Sequence, residues 1–346
     1  MIRVLIVDDS LVQSELLKSL LESDAEIHVV GVARNGEEGV KQALALKPDL
    51  ITMDIRMPGL DGFEATRRIM QDQPTPIVVV SSSVQTPDLQ ITFNAIKAGA
   101  LDVIEKPSIA TGGNYEAIRE RLITTVKAMA EVKVIRRRPV RPLGSPTYSP
   151  PTQISRQPIA VVAMGASTGG PAALNTVLKS LPRDFPAPIV IVQHMAAGFI
   201  QGLIQWLQIE SNLPIKLAQH RQTVQPGEVY VAPDDQHLYF ASRGTLAVNT
   251  DPPVSHVRPS ATVLFNSVAA VYGAAAAGVI LTGMGEDGAS GLEAMHRHGA
   301  VTFAQDEATC VIYGMPRVAA NLGAVDQLLS IDSIGAALVA VTRSPE

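Results

Sequence analysis

The chain reads as α/β from end to end, in two doubly wound, mainly parallel units separated by a proline-rich linker. Three features carry that reading. Short β-branched runs alternate with helix-period segments over the first third, the alternation stops between Arg136 and Pro158, and it resumes at Ile159. At 346 residues and 46% hydrophobic content the chain exceeds one ordinary core and can fill two. The expected units are residues 1–125 and 159–346, with a helix end and linker over 126–158.

In the first unit the expected strands are Val4 to Val7 (within a strand-like run from Ile2), Val29 to Ala33, Leu50 to Asp54, Ile77 to Ser81 and Asp102 to Lys106. Helices are expected from Ser10, Gly36, Asp61, Asp88 and Asn114. This alternation implies a five-stranded parallel sheet, because right-handed crossovers lay helices on each face in turn. From Arg136 to Pro158 there are few large apolar residues and many prolines, which lack an amide donor, so the segment should run extended and semi-rigid. Its basic run Arg136 to Arg138 reads as a solvated helix end in preference to a docking patch for an acidic partner.

In the second unit Ile159 to Met164 and Ile189 to Gln193 are expected strands, with helices from Gly170 and Gly198. The stretch Glu228 to Thr250 packs strands and turn residues closely and predicts a β excursion; Gly278 to Thr282 and Val301 to Ala304 then resume the α/β rhythm. Val268 to Leu281 is the longest apolar stretch, but Tyr272, Gly273 and Gly278 interrupt it. It falls short of the about 20 residues that a membrane span needs and reads as a buried helix passing into a strand. No internal repeat relates the halves.

Charge narrows the partners. A formal net charge of -5 and a pI near 5.8 give no global attraction to nucleic acid or anionic lipid. A DNA-binding regulator would also need a basic output domain with a recognition helix, and nothing after the linker supplies one. Cys310 is the single cysteine, so no intrachain disulfide can form. With a strand at the N-terminus in place of a leader, a cytoplasmic location without membrane insertion is expected.

Parallel sheets gather ligands at the carboxyl ends of their strands, and Asp8, Asp9 and Asp54 fall at the ends of the first and third. Three carboxylates repel one another unless a cation sits among them, and a hard, oxygen-seeking ion such as Mg²⁺ suits the site. Lys106, before Pro107, is placed to neutralise a phosphoryl oxygen, and Ser81 to hydrogen-bond it. Taken singly, an Asp pair is a helix cap and Lys-Pro a turn. In this order at successive strand ends, the set resembles the flavodoxin-like receiver domains of two-component response regulators, over residues 1–125. The resemblance implies that Asp54 is the phosphoacceptor, that Asp8 and Asp9 hold Mg²⁺ beside it, that Ser81 and Lys106 read the phosphate, and that a histidine kinase is the phosphodonor. Two positions depart from the pattern: Val103 stands where many receivers carry an aromatic switch residue, and Arg56 is a long cation beside the acceptor.

Gly165-Ala-Ser-Thr-Gly169 lies where a strand gives way to a helix, a context that exposes a serine hydroxyl above a sheet. Ser167 needs a base, and a histidine has a suitable pKa. Among seven histidines His194 is best placed, directly after the strand that ends at Gln193. His256 is the runner-up, while His28, His220, His237, His296 and His298 read as solvated or satisfied surface groups. Asp287, in the glycine-rich turn Thr282 to Gly288, is the expected carboxylate, with Glu286 and Asp306 as alternatives. Thr168 and Met284 are candidates to aim backbone amides at an oxyanion.

Gly-Ala-Ser-Thr-Gly-Gly, Gln-His-Met, Arg-Pro-Ser, Leu-Thr-Gly-Met-Gly-x-Asp-Gly and Tyr-Gly-Met-Pro, behind a receiver, resemble the chemotaxis response-regulator protein-glutamate methylesterases over nearly the whole chain. The resemblance implies hydrolysis of glutamate methyl esters on chemoreceptor helices, deamidation of receptor glutamines, and a Ser, His, Asp set at Ser167, His194 and Asp287, with no cofactor for the hydrolysis itself. It also implies that the unphosphorylated receiver blocks access to the esterase. Val257 and Thr262 depart from the pattern around Arg-Pro-Ser, where a basic residue and an aspartate are usual; neither is expected to touch the triad. The competing reading is a phosphorylation-gated adaptor without hydrolysis, which the intact Ser, His and Asp disfavour.

Overall fold

A computed structural model of the chain describes residues 1–81, 86–107, 115–132, 134 and 157–343. The basic run and most of the expected linker lie outside them. The chain divides into two compact units, Met1–Leu143 and Gly144–Glu346.

The first unit holds strands β1 (Ile2–Val7), β2 (Ile27–Ala33), β3 (Leu50–Met53), β4 (Ile77–Ser81) and β5 (Asp102–Glu105), alternating with helices α1 (Leu11–Leu21), α2 (Gly36–Leu46), α3 (Gly62–Asp72), α4 (Thr86–Ala98) and α5 (Tyr115–Ala130). The sheet runs β2-β1-β3-β4-β5 and is parallel throughout. Central strands covered on both faces need unbroken apolar runs, and β3 and β4 are buried along their whole length. Three helix starts are fixed by side-chain caps that satisfy otherwise orphaned amides: Ser10 accepts from Gln13 N, Asn35 from Glu38 N and Asp61 from Glu64 N.

In the second unit the order is β6 (Val161–Ala166), α6 (Gly170–Ser180), β7 (Ile189–Gln193), α7 (Ile200–Glu210), β8 (Ile215–Leu217), β9 (Gln222–Thr223), β10 (Val229–Val231), β11 (His237–Ser242) and β12 (Thr245–Asn249). Then come α8 (Ala261–Tyr272), β13 (Ala276–Ile280), α9 (Ala289–Arg297), β14 (Val301–Gln305), α10 (Met315–Asn321), β15 (Gln327–Leu329) and α11 (Ile331–Thr342). Seven strands form a parallel sheet in the order β15-β14-β13-β6-β7-β10-β8, and β11-β12-β9 form a small antiparallel sheet. Phe265 and Leu264 of α8 bury against the core that contains Val161, Ala163 and Ile280.

Several expectations shift. The excursion expected over Glu228 to Thr250 is narrower, because β10 joins the main sheet between β7 and β8; only the segments from His237 onward leave it. β6 starts two residues later than expected and β13 two residues earlier; Ala160 N bonds to Ala275 O just ahead of both strands. The helix expected from Gly198 begins at Ile200, since Gly198 is spent on a left-handed turn at φ 88°. The apolar stretch Val268 to Leu281 is a buried helix end, a short 3-10 turn and a strand, as its pattern suggested. Among the described residues no helix is long and apolar enough to cross a membrane.

In both sheets the chain leaves the middle in one direction and returns in the other, which opens a crevice at the carboxyl ends of the strands where the order reverses. In the first sheet that crevice lies between β1 and β3, and in the second between β6 and β13.

Candidate active site and acidic cluster

Ser167 follows β6, His194 follows β7 and Asp287 lies in the turn after β13, three adjacent strands of the second sheet. The backbone locks the first two together: Ala166 pairs with Gln193, and His194 N donates to Ala166 O at 3.0 Å. From the other side Ser167 N donates to Thr282 O at 3.1 Å. The His194 Nε2 lies 2.9 Å from Asp287 Oδ2. Ser167 is half-buried, and among the described residues no hydrogen bond joins its hydroxyl to the imidazole. Such contacts are commonly loose before substrate arrives.

Asp287 is 3% exposed and has a full set of donors. Ser260 Oγ donates to Oδ1 at 2.6 Å, Ala261 N to Oδ2 at 2.6 Å and Thr262 N to Oδ1 at 3.3 Å. Burial alone pushes this carboxyl's pKa up, but His194, Ser260 and the Ala261 amide together outweigh it and hold the group below the usual carboxylate range. The two amides belong to the first turn of α8, so the helix dipole favours the same negative charge. The alternatives are placed elsewhere. Glu286 is exposed, and Asp306 Oδ1 accepts from Thr309 N and Oγ1 within its own turn. His256 is exposed beside Ser255 at the tip of a tight turn bridged by Val254 and Val257.

The glycines earn their places sterically. A Cβ on Gly283 would lie 2.3 Å from Met315 Sδ and 2.7 Å from Ser167 Cβ, so the turn bearing Met284 approaches the serine only because Gly283 has no side chain. Gly169, at φ 75°, packs on Val311 in the same way. The amides of Thr168 and Met284 donate to no acceptor among the described residues.

In the first unit Asp8, Asp9 and Asp54 each offer a carboxylate oxygen, all within 4.8 Å of one another. Lys106 Nζ lies 2.8 Å from Asp54 Oδ2 and 2.8 Å from Asp8 Oδ2. Burial raises the Asp54 pKa and Lys106 only partly reverses this, with the neighbouring Asp8 charge adding to the rise. Burial also pushes Lys106 down, but its hydrogen bonds to Asp54 and Asp8 leave its pKa raised. An all-oxygen set of three carboxylates within 4.8 Å of one another, with a single ammonium beside them among the described residues, fits a hard divalent cation. Ser81 is buried at the end of β4, and its carbonyl accepts from Lys106 N at 3.0 Å, which joins the two phosphate-reading candidates through the backbone. Val103 is buried in β5, whereas Arg56 is exposed with its amide N 3.3 Å from Asp54 Oδ1.

Two sequence readings need correction. Thr262 does touch the proposed triad: besides its amide contact with Asp287, its hydroxyl accepts from Gly288 N at 2.7 Å, bracing the aspartate's turn. His237 is no surface group but 1% exposed, accepting from Ser260 N through Nδ1 at 3.2 Å, with Nε2 3.1 Å from Pro252 O. The residues that sequence reasoning missed are Ser260 and Gln193. A helix-cap signature in Arg-Pro-Ser marks the first as a cap, though not as a donor to Asp287, and Arg258 pins the same loop by bonding Asp235 at 2.8 Å and Thr250 O at 2.8 Å.

Residues 162–338 match the CheB methylesterase family and residues 4–112 the response regulator receiver domain family. The protein-glutamate methylesterase/protein-glutamine glutaminase 1 of Syntrophus aciditrophicus is 46% identical over 352 residues, covering 99% of each chain. The protein-glutamate methylesterase/protein-glutamine glutaminase 4 of Myxococcus xanthus is 45% identical, covering 99% of this chain and 97% of that one. Among solved structures, the CheB methylesterase catalytic domain of Thermotoga maritima is similar with a TM-score of 0.51 at 37% identity, covering 53% of this chain and 98% of its own.

Proposed function

This chain belongs to the CheB methylesterase family, and we propose that it is a phosphorylation-activated hydrolase that removes methyl groups from glutamate methyl esters on chemoreceptor helices and deamidates receptor glutamines. The observation that supports this most directly is the buried, ionised Asp287 held against His194 on the loop that adjoins Ser167.

With Asp287 ionised, the proton on the imidazole belongs at Nε2, which leaves the Nδ1 lone pair as the base. Ser167 Oγ attacks the γ-carbonyl carbon of the ester while His194 Nδ1 takes its proton. The negative charge that develops on the carbonyl oxygen is met by the Thr168 and Met284 amides, each worth about 3 to 4 kcal/mol in sites of this kind. Collapse breaks the carbon–oxygen bond, and the proton on Nδ1 leaves with methanol. Water then attacks the acyl-enzyme, giving its proton to Nδ1, which returns it to Ser167 as the glutamate carboxylate departs. A glutamine side chain follows the same course with ammonia as the leaving group.

Asp54 is the proposed phosphoacceptor. Asp8, Asp9 and Asp54 would hold Mg²⁺, which when bound screens the negative charge of the phosphodonor. Lys106 holds its ammonium at the acceptor carboxylate, and Ser81 lies beside it at the adjoining strand end. A phosphoryl group adds about -1.5 to -2 charges there, enough for a coupling of about 1 to 3 kcal/mol between receiver and esterase.

The test is methanol release from methylated receptor membranes. Ser167→Ala should abolish it while Asp54 phosphorylation persists, and undiminished release would remove the nucleophile assignment. Fluorophosphonate labelling that requires both Ser167 and His194 separates a hydrolase from an adaptor.

A further inference from the structure

We propose that Gln193 is a positioning residue that sets the geometry between the nucleophile and the base through their backbones; this rests on the triad reading above. Gln193 is the last residue of β7 and 1% exposed. Its single carboxamide nitrogen donates both of its hydrogens, one to Ser167 O at 2.8 Å and one to His194 O at 2.9 Å. One rigid planar group therefore ties the carbonyl of the serine to the carbonyl of the histidine. On the other side of the same junction, the bond from His194 N to Ala166 O completes the clamp.

These bonds do more than satisfy carbonyls. Ser167 O already accepts from Gly170 N at 2.8 Å, so it would not be orphaned without Gln193. The far end of the same side chain, Oε1, is buried without a hydrogen-bond partner among the described residues. An apolar side chain of like volume would avoid that cost, so what distinguishes glutamine here is the pair of donors. The surroundings are shaped to it as well: a Cβ on Gly170 would lie 2.0 Å from Gln193 Oε1, so the first residue of α6 must be glycine for the carboxamide to keep its place. The imidazole is held at its outer end by Asp287 and, through the backbone, by Gln193 at its root.

The experiment uses the full chain with Gln193→Met, which keeps volume and removes both donors, alongside Gly170→Ala, which displaces the carboxamide without removing it. Methanol release from methylated receptor membranes should show kcat down about tenfold to a hundredfold, the scale of a small misplacement of reacting groups, with KM within about twofold. Titration with a fluorophosphonate should still label every chain, but at a slower rate. Full kcat in both variants overturns the proposal. So does a fall in kcat matched in both variants by a fall in the fraction of chains labelled at the parental rate, since that reports unfolded protein and not a misplaced serine. If Gln193→Met does not fold, Gly170→Ala is read by the same two measures. Ser167→Ala runs in parallel: activity surviving there removes the triad reading itself, whereas its loss with full activity in both variants removes only the clamp.

Discussion

Asp54 and Asp287 occupy the same architectural place in two different sheets, a strand's carboxyl end at the crevice where the order reverses, yet their surroundings drive them in opposite directions. Both are buried. Asp287 is enclosed by a hydroxyl, two amides and an imidazole, and its pKa falls. Among the described residues Asp54 has one ammonium, one long amide contact and two carboxylates as neighbours, and its pKa rises. A closed donor set makes a permanent charge that can orient a base. An incomplete one leaves a charge under-compensated and ready for a cation and a phosphoryl group. Crevice position is set by topology, whereas the use made of it is set by the number of donors the loops supply.

Replacing each aspartate by its isosteric amide separates the two roles. In Asp287→Asn the carboxylate no longer selects the Nε2-protonated imidazole, and kcat for methanol release should fall by about 10⁴-fold, the usual scale for the wrong tautomer. A fall below tenfold would mean that Asp287 is a structural cap and that the contrast with Asp54 is not functional. Ser260→Ala takes one charge-assisted donor from the closed set and should destabilise the second unit by about 1.5 to 3 kcal/mol. Trp206, the chain's single tryptophan and 4% exposed in α7, lets fluorescence follow that unit alone. An unchanged denaturation midpoint would show that the set is not closed in solution. Asp54→Asn should erase stimulation by acetyl phosphate, about 5- to 150-fold if the coupling is of ordinary size, and chelation of Mg²⁺ should erase it in the parent. Stimulation that persists in the variant would place the acceptor elsewhere.

Much of this contrast was legible in the sequence, because strand ends are. Alternating β-branched runs locate where strands stop, and Asp8, Asp54, Ser167, His194 and Asp287 all stand at or just past such ends. The donor sets were not legible. Ser260 lies 27 residues before Asp287, and their meeting depends on α8 packing beside β6 and β13, a tertiary fact without a local signal. Thr262 was misread for the same reason. Its amide reaches Asp287 because it lies in the first turn of that helix, whatever its side chain. His237 reads as a surface group because its local context is mixed; its burial against the α8 cap is a tertiary fact of the same kind. The strand β10 was assigned to the excursion because three residues carry no period long enough to tell a parallel partner from an antiparallel one.

The smallest expected effect is also the one that tests the electrostatics without catalysis. The folded-state pKa of Asp287 lies below the ordinary carboxylate value, so its contribution to stability is fully present above that value and is lost as pH falls through the folded one. For Asp54 the sign reverses. Its folded pKa is raised, so the ionised group opposes folding above the raised value, and that opposition fades as pH falls toward the ordinary value of about 3.9. Removing the charge should therefore stabilise the first unit of Asp54→Asn by on the order of 1 kcal/mol at neutral pH, with the gain shrinking as the medium is acidified toward pH ~4. In Asp287→Asn the second unit should be destabilised at neutral pH, with the deficit narrowing at lower pH, below the ordinary carboxylate value. Hydrogen exchange in peptides of the first unit and Trp206 fluorescence in the second read the two curves separately. If Asp54→Asn is instead less stable than the parent at pH 7, Lys106 compensates its partner fully, and the acidic crevice is as closed as the catalytic one.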